Sequence, residues 1–533
     1  MEFKLKFGTS GIRDNDENLT NEQIFIATKA FLNYLVSINN IKEKRVALAG
    51  DFRPSTNRIL QSVASAIIDS GLVVDYCGKI PTPTISHYGF ENKIPSIMVT
   101  ASHNPYGQNG IKFNKTDGEI LKNEEQPILN EINKLTENTI ISNELTQQAK
   151  QSLSNINKQA KELYIQRYKT MFSNILKDIK LIFYQQTAVG RDIIPKILSD
   201  LGAEVILEEK LDETKQFIPV DTENLSQEIL NKMQSLALKH NCNIVLTADG
   251  DSDRPVLTYL ENNKLKYLPG DKLNTLVALF LKPDFVAAPI TINSKAAQLI
   301  QDNNIPIQLT KVGSPHVIQA INNTPPSKDY FLFAFEANGG SLIKSNKKIN
   351  NIQLNSLLTR DAIFPLICIL AFAKSKNLQI NELVNQTFSG KYQSFSYSGL
   401  VENTTERTTP GCEKYTPEIG KNIINHFKLN DSEIQSNLAT KEQQYKINQL
   451  QNYFSSLFPL DTTVKLNFLD GIKIYFSNQE TIHLRPSGNS AQFRIYAESQ
   501  TEQRTMQIIN QSITPNTGIL IKIINNFHHN SSK

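Results

Sequence analysis

The sequence predicts an α/β fold: three topologically similar, doubly wound α/β domains followed by an α+β C-terminal domain with an antiparallel sheet. Three observations predict it. Apolar strand-like runs alternate with amphipathic helical stretches, this pattern restarts twice, and the last part switches to short strand-like runs separated by two-residue turns. At 533 residues, with about 150 residues per domain as a guide, the chain is long enough for several cores.

Thr20 and Gln23 form a capping box ahead of Ile24, Ala27, Phe31 and Leu35, so a helix with one apolar face follows the first loop. The strand Arg45-Val46-Ala47-Leu48-Ala49 comes next. A helix over residues 56–70 stops at Gly71, and the strand Val73-Val74-Asp75-Tyr76 leads through Pro81-Thr82-Pro83 to Ser96-Ile97-Met98-Val99. Strands alternating with helices of this length imply a parallel sheet with covered faces. The first unit ends in the polar stretch 147–158.

The second unit begins at Leu181-Ile182-Phe183-Tyr184. A helix ending before Gly202, the strand Glu204-Val205-Ile206-Leu207, a helix over 226–240 and Ile244-Val245-Leu246 follow. The third has a helix from Asp271, the strand Phe285-Val286-Ala287-Ala288, the segment 305–309 and Phe331-Leu332-Phe333-Ala334-Phe335. Each unit ends in a strand that runs straight into a polar loop. In the last part, Val464-Lys465-Leu466-Asn467-Phe468, Ile472-Lys473-Ile474-Tyr475-Phe476 and Thr481-Ile482-His483-Leu484 are separated by the hairpin pairs Asp470-Gly471 and Asn478-Gln479. Residues 429–457, rich in Asn, Gln and Lys, read as a solvated helix or insertion without chemistry. The expected domains are 1–155, 156–262, 263–380 and 381–533.

Composition narrows the partners. The balance of 56 Lys and Arg against 52 Asp and Glu leaves +4, too little for a chain this size to announce nucleic acid or an acidic membrane. Cys77, Cys242, Cys368 and Cys412 stand far apart with no metal-binding spacing, so reduced, buried thiols of a cytoplasmic protein are expected. Residues 1–6 carry charges where a signal peptide has its apolar core. The longest apolar run, 362–373, contains Pro365 and falls short of the roughly 20 residues that span a bilayer.

Two loops carry the chemistry most clearly. Thr100-Ala101-Ser102-His103-Asn104-Pro105 sets a serine hydroxyl at the end of an apolar strand, facing the crevice where open α/β sheets bind ligands; Ser102 reads as a carrier of a phosphoryl group. Asp249-Gly250-Asp251-Ser252-Asp253-Arg254 places three carboxylates at alternate positions, which an extended segment projects to one side. A hard divalent cation resolves their repulsion, and Mg²⁺ prefers a few carboxylates with a phosphate oxygen. A calcium loop is excluded, because Arg254 stands where such a loop needs Gly and Leu260 where it needs Glu. Gly250 is expected to let the backbone bend around the ion.

Three further stretches complete the set. Glu336 and Asn338 offer an acceptor and a donor for adjacent sugar hydroxyls, and Gly339 and Gly340 let backbone approach a ring. Arg485, Ser487, Gly488 and Asn489 provide a guanidinium fork, a hydroxyl and a glycine amide able to grip a dianion. Phe7-Gly8-Thr9-Ser10-Gly11-Ile12-Arg13 stands near the start.

The order and spacing of these five stretches resemble the α-D-phosphohexomutase superfamily, from Phe7 to about Glu498. The resemblance implies four domains around a central cleft, each supplying one loop, and a Mg²⁺ held by Asp249, Asp251, Asp253 and a phosphate oxygen on Ser102. It also implies that Lys112 moves the proton between sugar and Ser102, that His103 shapes the loop, and that Arg13 and Arg254 lie beside the phosphoserine. The superfamily often has Ser at position 338 and His at 340; His316 is the alternative proton donor here. Phe335-Glu336-Ala337-Asn338-Gly339-Gly340, Thr359-Arg360-Asp361-Ala362 and Arg485-Pro486-Ser487-Gly488-Asn489 look most like bacterial phosphomannomutases. Those interconvert mannose 6-phosphate and mannose 1-phosphate for GDP-mannose synthesis, with a hexose 1,6-bisphosphate as intermediate and activator. The implied protein is a cytoplasmic monomer or weak homodimer with a phosphosugar substrate. The alternatives are a phosphoglucomutase or dual-specificity mutase, a metal-dependent phosphatase with a serine nucleophile, and an inactive phosphosugar-binding paralogue.

Overall fold

The computed structural model describes residues 3–8, 11–136, 154–325, 327–349, 352–404, 407–428, 431–487 and 491–531. The chain forms two compact units. The first holds residues up to 289, 300–309 and 313–386, and the second holds 290–299, 310–312 and everything from 387 onward.

In the first unit, strands β1 (Ile12–Asn15), β2 (Arg45–Gly50), β3 (Val73–Lys79), β4 (Ser96–Val99), β5 (Gln108–Asn114) and β6 (Ser154–Asn155) form one sheet in the order β1-β5-β4-β2-β3-β6. Alternation along β2 shows why helices cover both faces. Val46 and Leu48 pack with helices Asn21–Ser37 and Thr56–Asp69, whereas Ala47 and Ala49 pack with Ile85 and Tyr88 of helix Thr82–Asn92.

The second sheet orders β7 (Lys180–Gln186), β8 (Glu204–Lys210), β9 (Ile244–Ala248), β10 (Pro255–Glu261) and β11 (Lys264–Tyr267) as β11-β10-β9-β7-β8. Met233 and Leu236 of helix Gln227–Lys239 pack with Ile182, Val245 and Val256 in its core. The third sheet orders β12 (Phe285–Pro289), β13 (Ile307–Thr310), β14 (Phe331–Phe335) and β15 (Ser341–Ser345) as β13-β12-β14-β15, closed by a later strand. A two-stranded pair, β16 (Lys348–Ile349) with β17 (Ile352–Gln353), precedes that closing strand, β18 (Leu357–Asp361).

The expected parallel sheets are mixed. β2 pairs parallel with β3 and β4, β7 with β8 and β9, and β12 with β14. In every sheet the strand after the polar loop turns back antiparallel, as β4 to β5, β9 to β10 and β14 to β15. The intervening loops, residues 100–107, 249–254 and 336–340, are long enough for a hairpin but far too short for a parallel crossover. The polar loops are therefore three hairpin tips in equivalent places, which is the internal repeat the strand pattern predicts.

The apolar run 362–373 lies in helix Ile363–Ser375, whose Phe364 ring meets Phe333 of β14 at 6.3 Å; it is a core helix. No single helix among the described residues is long and apolar enough to cross a membrane. All four cysteines are free and buried.

The second unit carries six strands in the order β19-β24-β23-β22-β21-β20. They are β19 (Phe395–Glu402), β20 (Glu433–Gln435), β21 (Thr463–Asn467), β22 (Ile472–Phe476), β23 (Thr481–Pro486) and β24 (Gln492–Ser499). All the pairings are antiparallel. The described part of 429–457 holds the expected helix, Lys441–Tyr453, exposed or half-buried over most of its length, but it is no insertion outside the core. β20 adds an edge strand, and Ile447, Leu450, Phe454 and Leu457 enter the core formed by Ile474, Leu484 and Phe493. The polar majority of that stretch hides four apolar positions that fall on one side of helix Lys441–Tyr453 and its end.

Candidate active site

The tips of the first two hairpins meet. Ser102 is fully buried, has a left-handed backbone (φ 56°), and donates from Oγ to Asp249 Oδ2 at 2.6 Å. Left-handed geometry is costly for a residue with a side chain and collects at functional sites. Asp249 is anchored from its other oxygen, since Oδ1 accepts the amides of Asp253 and Arg254 at 3.1 Å each. The loop thus folds around its first carboxylate.

Lys112 on β5 pairs in register with Met98 of β4. It is 4 % exposed and donates to Asp251 Oδ2 at 2.5 Å and Asp253 Oδ2 at 2.7 Å. Thr82 Oγ1 also donates to Asp251 Oδ2. The opposite oxygens, Asp251 Oδ1 and Asp253 Oδ1, are buried with no hydrogen-bond partner.

Those orphaned oxygens test whether a metal fits. One carboxylate oxygen from each of Asp249, Asp251 and Asp253 lies within 4.8 Å of the others, all three residues are buried, and a buried carboxylate oxygen without a hydrogen bond is expensive. A divalent cation with oxygen ligands matches this donor set. Charge counting agrees. A phosphate dianion on Ser102 would bring two more negative charges beside these carboxylates, and a divalent cation brings two positive ones.

The titration directions follow from the same contacts. Burial, then the charges of Asp251 and Asp253, raise Asp249 well above the usual carboxylate range. Asp253 goes the other way: burial pushes it up, but Arg360, Lys112 and Arg254 outweigh it. Arg13 is lowered to about 10 by burial and by the guanidinium groups of Arg254 and Arg360. Burial, together with Arg254 and Arg13, holds His103 well below its ordinary value, so its ring is neutral; its Nδ1 has no hydrogen-bond partner.

The third hairpin joins through Arg360, which is 1 % exposed at the end of β18. Its Nε and Nη2 reach Asp253 Oδ2 at 3.1 and 2.9 Å, and its Nη1 donates to Glu336 Oε2 at 2.6 Å. Asn338 is buried too. Its Oδ1 accepts the Gly340 amide at 3.0 Å and its carbonyl accepts Thr222 Oγ1 at 2.9 Å, so it braces the turn. A Cβ on Gly340 would stand 2.9 Å from both Arg360 Cδ and the Asp253 carbonyl. His316 lies half-buried in the first turn of helix Ser314–Asn323.

In the second unit, Arg485 ends β23 and donates from Nε to Asp470 Oδ2 at 2.9 Å. Asp470 belongs to the Asp470-Gly471 turn, where Gly471 has φ 91° and a Cβ would press on the Leu484 carbonyl at 2.2 Å. The Ser487 amide donates to the Gln492 carbonyl. Gly488, Asn489, Thr9, Ser10 and the boundary residues 147–153 lie outside the described residues.

Sequence comparison agrees with this geometry. The families described as phosphoglucomutase/phosphomannomutase alpha/beta/alpha domains I, II and III match residues 4–139, 162–261 and 269–390. A phosphomannomutase of Salmonella muenchen is 32% identical over 509 residues, covering 95% of this chain and 94% of that protein. The chain belongs to the phosphoglucomutase/phosphomannomutase family. It is a phosphohexomutase, hence an isomerase. Among solved structures, a phosphoglucomutase/phosphomannomutase family protein of Burkholderia thailandensis superposes with a TM-score of 0.68 at 14% identity, covering 98% of this chain and 97% of the other. An N-acetylphosphoglucosamine mutase of Aspergillus fumigatus, solved with GlcNAc-6P and magnesium, has a TM-score of 0.50 at 14% identity, covering 90% and 82%.

In this phosphohexomutase the structure brings together Ser102, Lys112, Asp249, Asp251, Asp253, Arg254 and Glu336. Gly250 departs from the expectation: its φ is not positive, and its value is space, because a Cβ there would meet the Ser102 carbonyl at 2.7 Å and the Phe217 ring at 2.6 Å. Gly340 likewise makes room for Arg360. Arg360 and Thr82 are the residues of this cluster that motif reading passed over. The Thr359-Arg360-Asp361 signal was visible, but only the folded chain shows that Arg360 spans two loops.

Proposed function

We propose that this phosphohexomutase interconverts mannose 6-phosphate and mannose 1-phosphate through phospho-Ser102 and a hexose 1,6-bisphosphate, in the cytoplasm. The observation that carries the reading is the 2.6 Å contact of Ser102 Oγ with Asp249 Oδ2, which sets one nucleophile at a three-carboxylate cluster. Phosphomannomutase relatives across nearly the whole chain support mannose as the sugar.

In the forward direction the C1 hydroxyl of mannose 6-phosphate attacks the phosphorus of phospho-Ser102. The P–O bond to the serine breaks, and the hydroxyl's proton passes to the departing serine oxygen, with Lys112 as the group that moves it. The bisphosphate turns over, and Ser102 takes the 6-phosphate back by the reverse exchange, leaving mannose 1-phosphate. Asp249, Asp251 and Asp253 would hold a Mg²⁺ beside Ser102, which when bound would offset charge on the phosphoryl oxygens. Arg254 and Arg13 add fixed positive charge, and positioning supplies most of the catalysis. Glu336 and Asn338 bind sugar hydroxyls, His316 stands as the alternative proton donor, and Arg485 with Ser487, Gly488 and Asn489 grips the non-reacting phosphate. The reading divides the chain into domains near residues 155, 262 and 380.

The test compares turnover of mannose 1-phosphate and glucose 1-phosphate with a catalytic hexose 1,6-bisphosphate present. Preference for mannose supports the assignment; equal or better use of glucose removes it. Ser102→Ala is expected to abolish turnover with the fold intact, and free phosphate as the sole product would mark a phosphatase instead.

A further inference from the structure

The loop after β2 reaches the nucleophile from behind. Arg53 is 3 % exposed, and its guanidinium donates to four main-chain carbonyls of one loop. Nη2 reaches Ser102 O at 2.8 Å and Asn104 O at 2.6 Å, and Nη1 reaches Pro105 O at 2.8 Å and Gln108 O at 2.9 Å. The same guanidinium stacks on the Phe217 ring at 4.2 Å and pairs with Asp51 at 3.3 Å. Asp51 works on the other side of the serine. Its Oδ2 accepts Thr100 Oγ1 at 2.7 Å, and Thr100 Oγ1 accepts the Ser102 amide at 2.8 Å.

Both main-chain groups of Ser102 are therefore held, the amide through Thr100 and Asp51 and the carbonyl by Arg53, at a residue whose φ is 56°. A left-handed non-glycine residue persists only where its surroundings over-determine it. A fork of fixed donors does this better than an ammonium, which has no planar spread.

We propose that Asp51 and Arg53 are positioning residues for phosphoryl transfer, holding Ser102 Oγ in its reactive orientation against the three aspartates. This rests on the reading of Ser102 as the phosphoryl carrier. Arg53→Lys keeps a charge but cannot span four carbonyls. The expected result is a kcat lower by about a hundredfold, the order that a misplacement near 1 Å costs, with KM within about twofold. Loading of Ser102 from a hexose 1,6-bisphosphate, followed by intact mass, should slow in parallel.

Thr100→Val cuts the second tether without touching a charge, and the same split is expected should the lysine variant fold poorly. Folded variants that load and turn over at the wild-type rate overturn the proposal, as does a rise in KM at unchanged kcat. The control separates the two readings. Turnover by Ser102→Ala would sink the carrier assignment itself, whereas an inactive Ser102→Ala beside a fully active Arg53→Lys sinks only the role of Arg53.

Discussion

The carbonyl oxygen of Ser102 lies 2.7 Å from the point where a Cβ on Gly250 would stand, so the serine loop and the aspartate loop touch through a missing side chain. Gly250→Ala must push the two hairpin tips apart or displace Phe217. Overpacking of this kind costs about 1–3 kcal/mol, and the larger effect falls on Ser102 and Asp249. We expect a loss of turnover well beyond the loss of thermal stability, checked by measuring kcat and Tm on the same preparation.

Lys112 is the buried counter-charge of Asp251 and Asp253. Lys112→Met leaves Asp251 buried without its ammonium and Asp253 with Arg360, and breaking a buried pair costs roughly 3–5 kcal/mol. A divalent cation can restore part of that charge. The rise in Tm on adding Mg²⁺ should accordingly be larger in the variant than in the parent; an equal rise would show that the ammonium and the ion do not share these acids.

Arg485 is oriented by Asp470, whose Oδ2 also accepts the Val312 amide at 3.0 Å. Asp470→Ala removes the carboxylate that holds the Arg485 guanidinium. Loss of one charge-assisted bond is worth about 1.5–3 kcal/mol, so KM for the phosphosugar should rise by roughly tenfold or more while kcat changes less. Unaltered steady-state constants would remove Arg485 from phosphate binding or Asp470 from holding it.

His87 is nearly buried in helix Thr82–Asn92, and burial followed by the charge of Arg167 lowers its pKa from 6.5 to about 3. A folded-state value below the unfolded one means that the unfolded chain binds the proton first as pH falls. The stabilisation is complete above pH 6.5 and is lost progressively down to about pH 3, at no more than about 1.4 kcal/mol per pH unit. His87→Gln should flatten that acid limb in urea melts at pH 6.5, 5.5 and 4.5, leaving neutral stability little changed relative to the slope.

The sequence by itself determined most of the elements and the residue types of the candidate site. Helix caps, apolar alternation and hairpin pairs are short-range signals, and they placed the strands before each polar loop. The serine and the alternating aspartates were legible because their chemistry requires particular residue types at particular spacings.

Only the tertiary structure decided which way the strands after those loops run, and which distant side chains serve the site. Strand direction is set by pairing across the sheet, and Arg53, Thr82 and Arg360 act through partners from 24 to 169 residues away. Gly250 and Gly340 belong with them. Their worth is the space another segment occupies, and a sequence records no space.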